Sequence, residues 1–142
     1  MGTASHKHAG SYITIETAMP AAELLGLAEV VALQVFKRRA DKPGPIVKTG
    51  RTGTSIDFAV VNILKKAIMR FRVVAVTRAD GTEVRSEITY FQTRQEQLLG
   101  FIPTGPKILV AWGHYSAFMK TLQAAVQDAD RAARASIVTA AG

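Results

Sequence analysis

Apolar residues recur every three to four positions in two stretches and every second position in several others, which divides the chain into two helices and a set of strands. The longer helical pattern lies within Leu99–Ala135: Tyr115, Phe118, Met119, Leu122, Val126, Ala129 and Ala133 share one side, and Lys120, Gln123, Gln127, Asp130, Arg131 and Arg134 the other. It predicts an amphipathic C-terminal helix lying as a lid on a sheet. The shorter pattern follows Pro20, whose missing N–H is not needed in a first helical turn. Leu24, Leu27, Ala28, Val31 and Val35 line that helix as far as Arg39, and Val30 and Leu33 widen the arc enough to predict deep packing. Pro43 and Pro45, flanking Gly44, then stop it.

Alternation predicts strands at Tyr12–Thr17, Ile46–Thr49 and Ser55–Asn62, the last two forming a hairpin around Gly50-Arg-Thr-Gly53. Ile63–Ala67 reads either as a turn tipped by Lys65-Lys66 or as a short helix. Asp80-Gly81 has the chemistry of a two-residue turn joining Met69–Ala79 to Thr82–Phe91. That turn pairs Ala79 with Thr82, and hence Phe71 with Tyr90, Val73 with Ile88, Ala75 with Ser86 and Thr77 with Val84 on one face. The other face then pairs Arg78 with Glu83 and Val74 with Glu87. The expected inward set is Phe71, Val73, Ala75, Val84, Ile88 and Tyr90, facing Phe118 and Leu122. Thr93–Phe101 adds one more strand. Lys107–Gly113 (KILVAWG) has two readings: a last buried strand with the helix starting at Gly113, or a helix opened at once by Pro106, the favoured one. The expected fold is therefore α+β, an antiparallel sheet packed against a long C-terminal helix, in one domain over 11–142 behind a loose polar tail at 1–10.

Composition narrows the chemistry. The chain of 142 residues is 48% hydrophobic and 20% charged, and has no apolar run near the roughly 20 residues of a membrane span. Cysteine is absent, which removes disulfides, thiolate metal sites and cysteine nucleophiles together. Met1–Gly10 lacks the apolar core of a signal peptide, so a cytoplasmic location is expected. A net charge of +7 favours an acidic partner, whether nucleic acid, an anionic membrane face or an anionic ligand. The basic residues cluster at Lys37-Arg38-Arg39, Lys42, Lys48 and Arg51, and again at Lys65-Lys66, Arg70 and Arg72.

The order strand, helix, further strands, long C-terminal helix resembles the helix-grip fold of the START-like superfamily, which includes lipid-transfer domains and polyketide cyclases. Ile13–Leu25 (ITIETAMPAAELL) is similar to the strand and Ala-Pro turn that open such domains, and Tyr115–Val126 to the terminal helix stripe. The single long first helix departs from the short broken pair usual in the family. The resemblance implies an apolar pocket between sheet and terminal helix and no particular activity.

Three functions follow as expectations. The leading one is a non-enzymatic domain holding an apolar or amphipathic small molecule between Phe71, Val73, Ile88 and Tyr90 of the sheet and Trp112, Phe118, Met119 and Leu122 of the helix. The second is a nucleic-acid-binding module using Lys37, Arg38, Arg39, Lys48 and Arg51 without sequence readout. The third is a cyclase-type enzyme in which His114 acts as a base with Tyr90 or Tyr115. Gly100-x-x-x-x-Gly105 lacks the lysine and hydroxyl of a phosphate loop, because Pro106 follows directly. Gly50-Arg-Thr-Gly53 has the GxxG form of a KH loop but sits between strands. No His, Asp or Glu spacing suits a metal, and no cofactor is expected.

Overall fold

The computed structural model describes residues 8–38, 45–62, 64–98 and 102–139. In chain order the elements are β1 (Tyr12–Thr17), α1 (Ala21–Arg38), β2 (Ile46–Arg51), β3 (Ser55–Val61), β4 (Ala67–Arg78), β5 (Gly81–Phe91), β6 (Thr93–Leu98), β7 (Ile102–Leu109), α2 (Trp112–Ala129) and β8 (Arg134–Val138). Six strands form one antiparallel sheet in the order β2-β3-β4-β5-β1-β8, and β6 and β7 form a separate pair. One face of the sheet carries both helices: α1 over β2 and β4, α2 over β1 and β8, the two in contact with each other. The fold is α+β, with the C-terminal helix packed on the sheet, and its topology is compatible with a helix grip.

Alternation builds the core. Ile13 and Ile15 of β1, Ile56, Phe58 and Val60 of β3, Met69, Phe71, Val73 and Ala75 of β4 and Val84 of β5 turn inward and are buried. Against them α1 buries Leu24, Leu25, Ala28, Val31, Ala32 and Val35, and α2 buries Tyr115, Phe118, Met119, Leu122 and Val126. Removing each of the larger side chains from water stabilises the fold by about 1.5–3 kcal/mol.

The β4–β5 register differs from the expected one by two residues. Phe71 pairs with Ile88, Val73 with Ser86, Ala75 with Val84, Thr77 with Thr82 and Arg78 with Gly81. The turn falls on Ala79-Asp80 because Gly81 and Thr82 are drawn into the ladder: Thr82 pairs with Thr17 of β1, and its hydroxyl donates to Met19 O at 2.6 Å. A two-residue shift keeps every side chain on its face, so the inward set holds through Ile88, which is half-buried. It fails at Tyr90. A bulge between Arg70 and Phe71 in the ladder pairs Tyr90 with Arg70, turning the ring to the outer face, 41% exposed. Val74 pairs with Arg85 rather than Glu87, while Arg78 still reaches Glu83 diagonally at 2.5 Å.

Three further expectations are corrected. Residues 102–109 form β7, not the start of a helix: Pro103 and Pro106 are tolerated because each strand of a two-stranded ladder is an edge. The helix begins at Trp112, after Ala111 takes a left-handed conformation with φ 68° and its carbonyl accepts from the His114 and Tyr115 N–H groups. It ends at Ala129, since Asp130 is extended and Arg134–Val138 pairs with β1, so Ala133 is buried from a turn and not from a helix. Finally, Val30 and Leu33 are 49% and 59% exposed, because α1 lies on the outside of the helix layer and buries only its sheet-facing side. In the expected tail, His8–Gly10 form a turn whose His8 ring stacks on Trp112 at 4.3 Å between centroids.

Candidate nucleic-acid interface

The expected apolar site splits in two. Phe71, Val73, Phe118, Met119 and Leu122 converge as expected, yet all are at most 1% exposed and pack on one another. The Phe71 ring lies 4.9 Å from Phe118, 5.3 Å from Phe58 and 5.1 Å from Tyr115, so aromatic rings occupy the space between sheet and α2. Ile88 and Trp112 sit half-buried at the margin of this cluster, and Tyr90 is on the opposite face. His114 is buried, at 1% exposure. Of its two expected partners, Tyr90 is outside, and Tyr115 is committed to the core: its hydroxyl donates to Ser11 O at 2.9 Å and bonds Ser86 Oγ at 2.8 Å.

The expected basic site is also divided. Lys48 and Arg51 extend from β2 to Glu29 of α1, Lys48 at 3.1 Å and Arg51 in direct contact. These partners, Lys48 first, hold the Glu29 carboxyl below the usual carboxylate range. Both cations are therefore partly neutralised. Arg39, Lys42, the side chains of Lys37 and Arg38, and the Gly100–Gly105 segment's side chains lie outside the described residues. The backbone of α1 runs from the β4–β5 turn, where Met19 meets Thr82, towards the opposite end of the sheet.

That opposite end holds what the sequence reading missed as a unit. Asn62 shapes the turn between β3 and β4: its side-chain oxygen accepts from the Leu64 and Lys66 N–H groups at 2.9 and 3.1 Å, and Lys65 takes a left-handed φ of 63°. The turn presents Leu64, Lys65 and Lys66 to solvent, and Arg70 follows on the outer face. Tyr90 lies cross-strand from Arg70, its hydroxyl accepting from Gln92 Nε2 at 2.7 Å. Among the described residues no carboxylate pairs with Lys65, Lys66 or Arg70. The rest of the outer face is charge-balanced, with Arg72 on Asp57 at 2.7 Å, Arg78 on Glu83, Arg134 near Glu16 at 4.0 Å, and Arg85 stacked over the Tyr12 ring at 3.8 Å. The far end of the sheet carries two further carboxylates, Asp80 and Asp130, beside these ion pairs. A groove of about 550 Å³ there is lined by Glu16, Asp80, Glu83 and Asp130 together with Arg78 and Arg134.

Three cations that pair with no carboxylate, Lys65, Lys66 and Arg70, thus share one end of the sheet, where Arg70 lies cross-strand from the exposed Tyr90 ring. The Lys65-Lys66 pair and Arg70 were visible in the sequence, but Tyr90 joins them only through the bulge. Among the described residues no helix is long and apolar enough to cross a membrane, and no group of His, Asp and Glu could hold a metal ion. No protein-family description matches the chain, and a search of curated proteins finds no significant match.

Proposed function

We propose that the protein is a non-enzymatic module that binds single-stranded nucleic acid at the end of the sheet formed by Lys65, Lys66, Arg70 and Tyr90. The observation that carries this reading is Tyr90, turned outward by the bulge and set beside Arg70 while Lys65 and Lys66 stand free of carboxylates. Cations in such a place contact phosphates, and an exposed ring stacks a base for about 1–3 kcal/mol without reading its identity. Fluorescence anisotropy with a labelled oligothymidylate tests it across salt concentrations. Removing Lys65, Lys66 and Arg70 together lowers the slope of log K against log salt by about 2, at roughly 0.7 per phosphate contact on a single strand. Tyr90→Ala weakens binding with the slope unchanged. Wild-type protein that fails to bind at low salt, or a triple variant that binds as wild type does, overturns the reading.

A second reading keeps the START-like resemblance and places an apolar ligand between the sheet and α2. Its support is the convergence of Phe71 and Val73 of β4 with Phe118, Met119 and Leu122 of α2, two segments distant in sequence. A ligand there has to part the Phe71, Phe118 and Tyr115 rings. Native mass spectrometry of protein taken from its own host tests this reading, which a uniformly empty chain would sink.

A further inference from the structure

The outer face of the sheet carries a second tyrosine with an arginine laid over it. Tyr12 and Thr14 of β1 lie on this face, and so does Arg85 of β5, the Cα partner of Thr14. The Arg85 guanidinium carbon sits 3.8 Å from the centroid of the Tyr12 ring. Among the described residues no carboxylate pairs with Arg85, although Glu83 and Glu87 flank it on the same face of the same strand. The side chain is thus committed to the ring and not to an ion pair, and it stays exposed. An arginine held flat on an aromatic ring offers its other plane as a stacking surface for a base. Val138 of β8, the Cα partner of Tyr12 and 39% exposed, adds apolar surface beside the stack.

Strand geometry sets this stack next to Tyr90. Glu87 and Tyr90 of β5 take partners two residues apart on β4, Arg72 and Arg70, which is about 7 Å of rise. Tyr12 lies two residues before Thr14 and so across from Glu87, a lateral step of about 5 Å or slightly more. The two tyrosines are therefore roughly 8–10 Å apart on one open face. Successive bases of an extended single strand bridge such a gap between aromatic side chains. Glu87 lies between them, and the arginines around it, Arg70, Arg72 and Arg85, outnumber the two carboxylates there, Glu87 and Asp57. From this juxtaposition we infer that the Tyr12–Arg85 stack is a second base subsite, where the base next to the one on Tyr90 lies flat on the Arg85 guanidinium. Tyr12 is the positioning residue, since it holds that plane level from beneath. The inference rests on the nucleic-acid reading above and gives the bound strand a path, from the Lys65-Lys66 turn across β4 and β5 to β1.

Arg85→Lys tests the subsite, because lysine keeps the charge and loses the plane. With labelled oligothymidylate, Arg85→Lys is expected to weaken binding about 5- to 150-fold, the worth of one stacked base, with the slope of log K against log salt unchanged. Arg78→Lys, on the same face but bonded to Glu83, is expected to bind as wild type does. Arg85→Lys combined with Tyr90→Ala is expected to lose both factors, since the two bases stack separately. Arg85→Lys combined with Tyr12→Leu is expected to bind no more weakly than Arg85→Lys alone, with circular dichroism showing each variant folded. In NMR spectra of the wild-type protein, the Arg85 Nε–H resonance is expected to move upfield as oligothymidylate is added, the shift of a proton lying against a base ring. If Tyr90→Ala binds weakly while Arg85→Lys binds as wild type does, the second subsite is overturned and the site at Tyr90 stands. Wild-type protein that does not bind at low salt overturns both.

Discussion

The Ser86 hydroxyl donates to Tyr115 Oη, across 2.8 Å of buried space between β5 and α2. The direction follows from proton count: the single Tyr115 hydroxyl proton goes to Ser11 O at 2.9 Å, so Ser86 supplies the other. Ser86 Oγ in turn accepts from the Ile13 N–H at 3.0 Å, one position beyond the last β1–β5 pair, Thr14 with Arg85. A serine side chain thus continues the sheet where the backbone ladder stops, and a tyrosine on the helix completes it. The chain of bonds ties β1, β5, α2 and the segment before β1 together inside the core.

Tyr115→Phe is expected to lower stability by about 1–3 kcal/mol, because the Ser86 hydroxyl and the Ser11 carbonyl lose a buried partner. Chemical denaturation with an unchanged m-value is the measurement, since a change in m would signal a different unfolded state and not a lost bond.

The same residue predicts an alkaline limit. Burial pushes the Tyr115 hydroxyl up to about 12, against a smaller opposing effect of the Ser86 hydrogen bond. A folded pKa above the unfolded value, near 10, leaves the contribution whole below about pH 10 and removes it as pH rises towards 12. The loss amounts to about 2–3 kcal/mol, at 1.36 kcal/mol per unit. Unfolding midpoints measured from pH 9 to 12 should fall more steeply for wild type than for Tyr115→Phe; parallel curves would contradict the assignment.

Asp130 predicts an acid-side effect of opposite sign. Its Oδ2 accepts from Thr17 Oγ1 at 2.7 Å and the Ala18 N–H at 3.1 Å, and its Oδ1 accepts from the Ala132 N–H at 3.2 Å. These bonds, Thr17 first, hold the carboxyl below its ordinary value. The contribution is therefore present above the ordinary carboxylate range, about pH 4, and is lost as pH falls through the lowered pKa. Asp130→Ala should blunt the acid dependence of unfolding. It should also speed amide exchange at Ala18 and Ala132, joining the two chain reversals that the carboxylate clasps.

Gly81 and Gly26 should respond to alanine with opposite signs. A Cβ on Gly81 would stand 2.5 Å from Thr17 O, at a backbone φ of +153° that side chains rarely adopt. Gly81→Ala is expected to cost more than about 2 kcal/mol, from strain of about 1–3 kcal/mol with the clash added. Gly26→Ala has open space and a helical backbone, and should raise stability by up to about 1 kcal/mol. Thermal unfolding of both variants decides it.

These residues also show which parts of the fold are legible without coordinates. Faces were legible, because Phe71, Val73, Ala75 and Val84 follow an alternation that a two-residue slip leaves intact. The turn was not, since what draws Gly81 and Thr82 into the ladder is the neighbouring Thr17, distant in sequence. The end of α2 was hidden for a related reason. Alanine-rich residues beyond Ala129 fit a helix by propensity, and only pairing with β1 makes Arg134–Val138 a strand. At the candidate site the cations were visible and the ring was misassigned, because a bulge moves a side chain across the sheet with no local sequence signal.

That misassignment supplies the sharpest comparison, between Phe118 and Tyr90, both expected inward from the sequence. Phe118 is fully buried, with Phe58 at 5.5 Å and Phe71 at 4.9 Å between ring centroids, so Phe118→Ala leaves a cavity among rings that cannot fully close. Its expected cost is about 3–5 kcal/mol. Tyr90 is 41% exposed and opposite Arg70, and its replacement opens no cavity in the layer between sheet and helices. Tyr90→Ala should therefore change stability by less than about 1 kcal/mol, towards the range of surface substitutions. It should weaken oligothymidylate binding about 5- to 150-fold, the equivalent of one stacked base. Equal destabilisation by the two variants would place Tyr90 back in the core and remove the ring from the proposed interface. A stable Tyr90→Ala protein with undiminished affinity would leave the cations without their aromatic partner.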